Sequence, residues 1–237
     1  MKQLFFIRHG QSTNNALADP TQRVQDPELT ELGQIQAERV AEYLAANRHL
    51  KGSLSKPEGP PLDRLYCSAM VRAVHTATPI GQALGLSPEV YVDLHEIGGI
   101  YLDYPDGRIE SFPGQTRSEL AARFPHCLPP ETLDEAGWWR GGRESEEEAL
   151  QRASKVADEL LQRTDDESRI GFVTHGDFMS HLIKALIGAP QGKTPYLYHC
   201  NTAITCVELS PDKGLTLRYI NRIEHLEENY VTSAMVR

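Results

Sequence analysis

Leu4-Phe5-Phe6-Ile7-Arg8-His9-Gly10-Gln11-Ser12-Thr13-Asn14-Asn15 decides how this chain is read. Four apolar residues predict a short buried strand, and Arg8-His9-Gly10 follow it with no spacer. Such a strand brings a cation and an imidazole to a sheet edge, and the glycine permits a sharp turn or a close approach of a ligand. In open α/β sheets, ligands bind outside the carboxyl ends of the strands. Taken alone, the tripeptide is as much a surface turn as a ligand site. The rest of the chain has to choose.

The 237 residues fit one domain over 1–237 with a sizeable insertion at about 97–143, and 40% hydrophobic residues suffice for a core. No apolar run reaches the ~18–20 residues of a membrane span. The first strand begins by Leu4 and meets Arg8 at once, so no signal peptide is expected. Cys67, Cys127, Cys200 and Cys206 lack CxxC spacing, which points to reduced thiols and a cytoplasmic location. A net charge of −9 argues against nucleic acid or an anionic membrane as partner, yet leaves room for a small anion held by converging arginines. Lys56-Pro57-Glu58-Gly59-Pro60-Pro61 reads as a surface connection.

Along the chain, Ala16–Leu29 reads as a loop. Thr30 should cap a helix from Glu31 to about Ala46, with Leu32, Ile35, Val40, Tyr43 and Leu44 on one face. Asp63–Cys67 predicts a second strand. Ser68 is expected to cap a helix from Ala69 to about Leu84, kinked or shortened by Pro79. Glu89–Val92 predicts a third strand running into Asp93-Leu94-His95-Glu96. From Ile97 to Arg143 glycines and prolines break the pattern, and only Ser118–Phe124, behind a Thr116/Glu119 capping box, reads as helical. A second box, Ser145 with Glu148, opens a helix through Ala149, Ala153, Val156 and Leu160. Then follow a buried strand Arg169–Thr174, His175-Gly176, and a helix from about Asp177 to Ile187 stopped by Gly188. Ala203–Glu208 and Leu215–Tyr219 predict a hairpin about Pro211-Asp212-Lys213-Gly214. The order predicts an α/β fold: a three-layer α/β/α sandwich, mostly parallel, with an antiparallel edge.

Three strands thus end in Arg8-His9, in Ser68 to Arg72 and in His175-Gly176, and Glu96 follows another. Two arginines and two histidines near helix starts suit a phosphate better than a core: arginine forks match its oxygens, and helix starts offer free N–H groups. At this point the chain resembles the histidine phosphatase superfamily, branch 1, the phosphoglycerate-mutase-like group. The resemblance rests on Arg8-His9-Gly10-Gln11-Ser12 with Asn15, Leu29-Thr30-Glu31-Leu32-Gly33 with Gln36-Ala37, Ser68 with Arg72 and Thr76-Ala77, Glu96, and Val173-Thr174-His175-Gly176, in family order.

The resemblance implies a role for each. His9 would attack phosphorus and become a phosphohistidine, which needs an unprotonated, in-line nitrogen and a second ring nitrogen donating to a backbone carbonyl. Arg8, Arg72 and His175 would hold the phosphoryl oxygens, with Asn15 and Gly176 completing the substrate site. Glu96 would protonate the leaving oxygen and then activate water, which near neutral pH needs a raised carboxyl pKa. No metal and no cofactor are implied. For the acid, His95, Asp93, Asp103 and Asp106 are neighbouring candidates. His181, six residues after His175, reads as structural; His49, His75, His126, His199 and His225 receive no role, although His199 precedes Asn201 in a segment that could border the pocket. Trp138-Trp139 read as core residues or as a substrate wall.

The same residues serve mutases and phosphatases. A mutase shields its phosphohistidine and rebinds its intermediate through basic residues in its insertions. Arg108, Arg117, Arg123, Arg140 and Arg143 lie in the insertion, but the glycolytic mutases' characteristic segment does not follow the glutamate; Glu96 continues instead as Ile97-Gly98-Gly99-Ile100-Tyr101 into Pro/Gly-rich sequence with aromatics. That favours a phosphomonoesterase for a small phosphorylated metabolite, with a cofactor-dependent phosphomutase as alternative. The secreted acid phosphatase branch is disfavoured, because Gln11-Ser12-Thr13 and His175-Gly176 stand where it has Arg-x-Pro and His-Asp. Two further readings are a metal-dependent hydrolase using His175, Asp177, His95 and Glu96, and a silent phosphate-binding scaffold. Neither the substrate nor the oligomeric state is legible.

Overall fold

The computed structural model describes residues 1–51, 59–162, 168–192, 195–210 and 212–233. Lys56–Glu58 of the expected surface connection and Pro211 of the expected hairpin turn lie outside them. In chain order the elements are β1 (Lys2–Arg8), α1 (Thr13–Ala16), α2 (Glu31–Ala45), β2 (Arg64–Cys67), α3 (Val71–Leu84), β3 (Glu89–Val90), β4 (Tyr101–Asp103), β5 (Ile109–Ser111), α4 (Arg117–Arg123), α5 (Glu146–Gln162), β6 (Arg169–Thr174), α6 (Gly176–Leu186), β7 (Ile204–Ser210) and β8 (Gly214–Arg222).

Six strands form one sheet in the order β3-β2-β6-β1-β7-β8. β1, β2, β3 and β6 pair in parallel, and β7 runs antiparallel to both β1 and β8. Every residue of β1 is buried. Phe5 and Ile7 pack with Val40 and Leu44 of α2 and Val74 and Ile80 of α3, whereas Leu4 and Phe6 pack with Val156 and Leu160 of α5 and Phe178 and Leu182 of α6. A strand covered on both faces needs no polar alternation, which is why Leu4–Ile7 is one apolar run. Each such buried side chain contributes about 1.5–3 kcal/mol. The result is the expected three-layer sandwich.

Thr30 caps α2 by accepting the Gly33 N–H at 3.0 Å, and the Thr116/Glu119 box closes on α4 as expected. Several local expectations fail. Ser68 does not cap α3, which starts at Val71 behind Met70; its hydroxyl accepts the Met70 N–H and meets His175 instead. Pro79 does not shorten α3, which runs to Leu84 with Gly85 in the left-handed region behind it. The stretch read as a loop from Ala16 follows a one-turn helix, and Pro20–Gln22 form a 3-10 turn begun by an Asp19 side chain. β3 is only two residues long, because Val92–Leu94 tighten into a 3-10 turn. Within 97–143, β4 and β5 form a hairpin that the Gly/Pro punctuation concealed. Ile100, Leu120, Phe124, Cys127, Leu133 and Trp138 of this stretch join the core on the α2/α3 side.

Candidate active site

The carboxyl ends of β1, β2 and β6 meet side by side. Parallel pairing sets Arg8 beside Thr174 and Cys67 beside Val173, so Arg8-His9, Ser68 and His175 emerge at one edge. Backbone bonds prolong the sheet there, from His9 N–H to Thr174 O (2.9 Å) and from Ser68 N–H to Val173 O (2.9 Å). The turn after His9 is compressed. A Cβ on Gly10 would lie 2.4 Å from the Gly33 carbonyl oxygen, and one on Gly33 would lie 2.1 Å from that of Gln11. Only two glycines let the start of α2 seat against this turn, so both halves of the motif share one cause. Thr76 locks it further, accepting the Gly10 N–H (3.0 Å) and donating to Arg72 O (2.7 Å).

His9 is buried, and its Nδ1 donates to the Gly10 carbonyl at 2.6 Å. That bond assigns the proton to Nδ1 and leaves the lone pair on Nε2, which accepts from Arg72 Nε at 3.2 Å. Burial first, then Arg72 and Arg8, hold its pKa well below the usual histidine value, so the ring is neutral at pH 7. His175, fully buried and 5.0 Å away ring to ring, is likewise held neutral by burial and by Arg72. Its Nε2 pairs with Ser68 Oγ at 2.9 Å, and its Nδ1 has no partner among the described residues. With the Ser68 hydroxyl donating to Nε2, the Nδ1–H remains as a donor.

Arg8 is anchored through Nη1 to the His199 carbonyl (2.6 Å), while its buried Nε has no partner among the described residues. A Cβ on Gly176 would sit 3.2 Å from that nitrogen, so the glycine admits the guanidinium. Arg72 lies 3.9 Å from Asp26, a buried carboxylate pushed up to about 6 by burial, against the opposing pull of Arg72. Asn15 uses its amide oxygen to accept from Ser12 N–H and Asn201 Nδ2, both at 3.3 Å, which leaves its amide N–H groups to offer.

Glu96 arrives from the loop after β3. Oε1 accepts from Ile97 N–H (3.0 Å) and Phe178 N–H (2.9 Å), and Oε2 from Asp177 N–H (3.4 Å). Burial above all, then the nearby Asp177 charge, push its pKa up to about 7 despite those donors and Arg72. Fewer helix-start N–H groups face a phosphate than expected, because Glu96 takes two at the start of α6 and Asp26 takes that of Val71 at 3.1 Å. Carboxylates occupy the positive helix ends.

Of the other acid candidates, Asp93 pairs with Lys155 and Asp103 with Arg143; Asp106 accepts a local turn N–H. His95 donates toward Glu96 O and packs on Trp139 (4.8 Å) and Trp138 (5.5 Å). Both tryptophans therefore hold the loop that carries Glu96, Trp138 from the core and Trp139 through an indole bond to Gly142 O. Among the described residues no group of three or more His, Cys, Asp or Glu side chains is placed to hold a metal ion.

Four further residues support the site: Asn201, from the segment expected to border the pocket, and Asp26, Glu144 and Arg152, to which the residue pattern assigns no role. Asn201 donates to His9 O (3.0 Å) and accepts from Thr232 (3.0 Å), tying the C-terminal segment under the nucleophile turn. Asp26, from the stretch between α1 and α2, accepts the Val71 N–H and faces Arg72. Glu144 and Arg152 form a buried two-pronged pair (2.7 Å each), and Arg152 Nη1 also reaches the carbonyls of Asp93 and His95. Glu144 further accepts the Gly98 N–H, so the pair brackets the Glu96 segment. Nothing local in the sequence marks these.

The family described as histidine phosphatase superfamily (branch 1) matches residues 4–222, and the chain belongs to it. A stretch of 101 residues, 42% of this chain but only 15% of the other protein, is 39% identical to a PE-PGRS family protein of Mycobacterium tuberculosis. Over 83% of the chain and 79% of the relative, it is 27% identical to a glucosyl-3-phosphoglycerate phosphatase of Mycolicibacterium vanbaalenii. Among solved structures, an ecdysone phosphate phosphatase from Bombix mori in complex with tungstate superposes with a TM-score of 0.65 at 16% identity, covering 92% of each chain.

Proposed function

We propose that this protein is a metal-independent phosphomonoesterase working through a phosphohistidine at His9, within a single domain over 1–237 whose stretch at about 97–143 governs substrate choice. The observation that carries the reading is the neutral His9 ring. Its proton is fixed on Nδ1 by the Gly10 carbonyl, and its Nε2 lone pair accepts from Arg72, with the Arg8 charge also acting on the ring. Arg72 holds that lone pair in the resting site and would pass to a phosphoryl oxygen as substrate enters.

The Nε2–P bond forms as the ester P–O bond breaks, and Glu96, neutral up to about pH 7, gives its proton to the departing oxygen. Arg8 Nε and His175 Nδ1, buried groups unpartnered among the described residues, gain phosphoryl oxygens as acceptors, and the Asn15 amide N–H groups complete the cradle beside Gly176, which leaves room for the Arg8 guanidinium. Water then attacks phosphorus, its proton passes to the Glu96 carboxylate, and Nε2 leaves with its electron pair.

Hydrolysis is favoured over mutase chemistry by the insertion's arginines. Arg108, Arg123, Arg140 and Arg143 pair with Glu110, Glu28, Asp134 and Asp103, and Arg117 bonds the Pro130 carbonyl. A doubly charged intermediate would have to compete for each of them. The substrate is a small phosphorylated molecule. Four cysteines without disulfides, all buried, support a cytoplasmic setting; no described helix is long and apolar enough to cross a membrane.

Rapid quench with a ³²P-labelled monoester tests the reading. It expects an acid-labile, base-stable label on the wild type and none on His9→Ala, whose turnover falls on the order of 10⁴-fold or more. Unchanged turnover by His9→Ala, or isomer formation without phosphate release, overturns it.

A further inference from the structure

The phosphoryl pocket leaves part of its mouth unexplained. Val24, Tyr196 and Tyr198 are among the few large hydrophobic side chains that are well exposed, and each lies within two residues of, or is bonded to a neighbour of, a site residue. Tyr196 donates its hydroxyl to Asp177 at 2.7 Å, and the backbone N–H of Asp177 reaches Glu96. That phenol proton is held by burial and by the charges of Asp177 and Glu96, with Arg8 opposing, which sets the hydroxyl within the field of both the acid and a phosphate arginine. The residue is nevertheless 41% exposed. Tyr198 immediately precedes His199, whose carbonyl anchors Arg8. Val24 is held by two bonds to Asn14 (2.7 and 3.0 Å), next to Asn15.

Charge points the same way. The five insertion arginines are all engaged, four of them by carboxylates, and Arg23 beside Val24 also has a partner. Asp177, itself exposed, adds negative charge on the Glu96 side. A leaving group with its own carboxylate or second phosphate would meet that charge with no uncommitted described cation among these six arginines to offset it. An uncharged one with an apolar face would cover tyrosine ring now in water.

We propose that the substrate is a phosphate monoester of an uncharged alcohol bearing a flat or apolar group, which packs on the Tyr196 ring, and that esters carrying a second anion are poor substrates. The proposal rests on the His9 phosphatase reading and adds the substrate class to it.

Benzyl phosphate, glycerol 3-phosphate and 3-phosphoglycerate test it, since all three release an alkyl alcohol and differ in apolar face and charge. The expected order of kcat/KM is benzyl phosphate, glycerol 3-phosphate, 3-phosphoglycerate, with about tenfold or more between first and last. Tyr196→Ala should raise KM for benzyl phosphate about tenfold and move glycerol 3-phosphate about twofold at most. A preference for 3-phosphoglycerate, equal use of all three, or an equal loss on all three in Tyr196→Ala overturns the substrate class while leaving a phosphatase. No release from any ester, with no label on His9 after rapid quench, overturns the phosphatase reading and this proposal with it.

Discussion

The His9 side of the pocket and the Glu96 side are built by different means. His9, Arg8 and His175 extend directly from buried parallel strands, so the sheet itself fixes their positions. Glu96 sits on a loop that follows a two-residue strand and a 3-10 turn. Its place depends on long-range side-chain contacts: Arg152 on two loop carbonyls, Glu144 on Gly98 N–H, Thr174 Oγ on Leu94 O (2.6 Å), and His95 against two tryptophans. One side inherits its rigidity from backbone hydrogen bonds. The other acquires it from charged groups that are individually replaceable, and variants should separate the two.

The largest effect expected on the Glu96 side comes from Glu96→Gln. Loss of the proton donor should cut kcat/KM for alkyl esters by about 10²–10⁴-fold. An aryl ester with an acidic leaving group should suffer less in the first step, so phosphohistidine should accumulate as the second step loses its base. Rapid-quench labelling reads this directly. A variant that is equally slow with both esters and never accumulates label would deny Glu96 both roles.

Arg152→Ala should come next. Removing one member of a buried, hydrogen-bonded pair strands the other charge, typically at about 3–5 kcal/mol. Thermal unfolding should show that loss, together with a fall in kcat, because the Asp93–Gly98 segment loses its clamp. The double variant Arg152→Met/Glu144→Gln removes both charges. It should recover most of the stability but little of the kcat, since the loop carbonyls still lack their donor. If stability and kcat recover together, the clamp matters only for folding.

The same contrast explains what could be read from the sequence. A strand buried on both faces announces itself in four consecutive apolar residues, and a turn too tight for a Cβ announces itself as Gly10 and Gly33. Both are local consequences of local geometry, so β1, β6, α2 and the residues at their ends were legible. Asn201, Asp26, Glu144 and Arg152 act across 45 to 192 residues of sequence only because the fold delivers them, and no spacing rule encodes that. Ser68 belongs to the site for a reason other than the expected one. Its hydroxyl suits a helix cap, yet α3 begins three residues later and the hydroxyl meets His175. The β4–β5 hairpin was hidden because its turn glycine and flanking prolines read as plain irregularity.

Asp177→Asn gives the smallest effect and the finest test of the Glu96 side. Glu96 is pushed up to about 7 by burial first and by the Asp177 charge second, while Arg72 and the Ile97 and Phe178 N–H groups pull it down. The first step needs the protonated acid, so kcat/KM should fall as pH rises through about 7 in the wild type. His9, held neutral well below the usual histidine range, adds no acid limb near pH 6. Removing the Asp177 charge leaves burial in place and deletes one raising influence. The alkaline limb should therefore move to lower pH, by about half to one unit. A profile of kcat/KM against pH with an alkyl ester measures the shift. A limb that stays put would mean that burial alone sets the Glu96 proton, and a limb that moves to higher pH would mean that the Asp177 charge does not raise it.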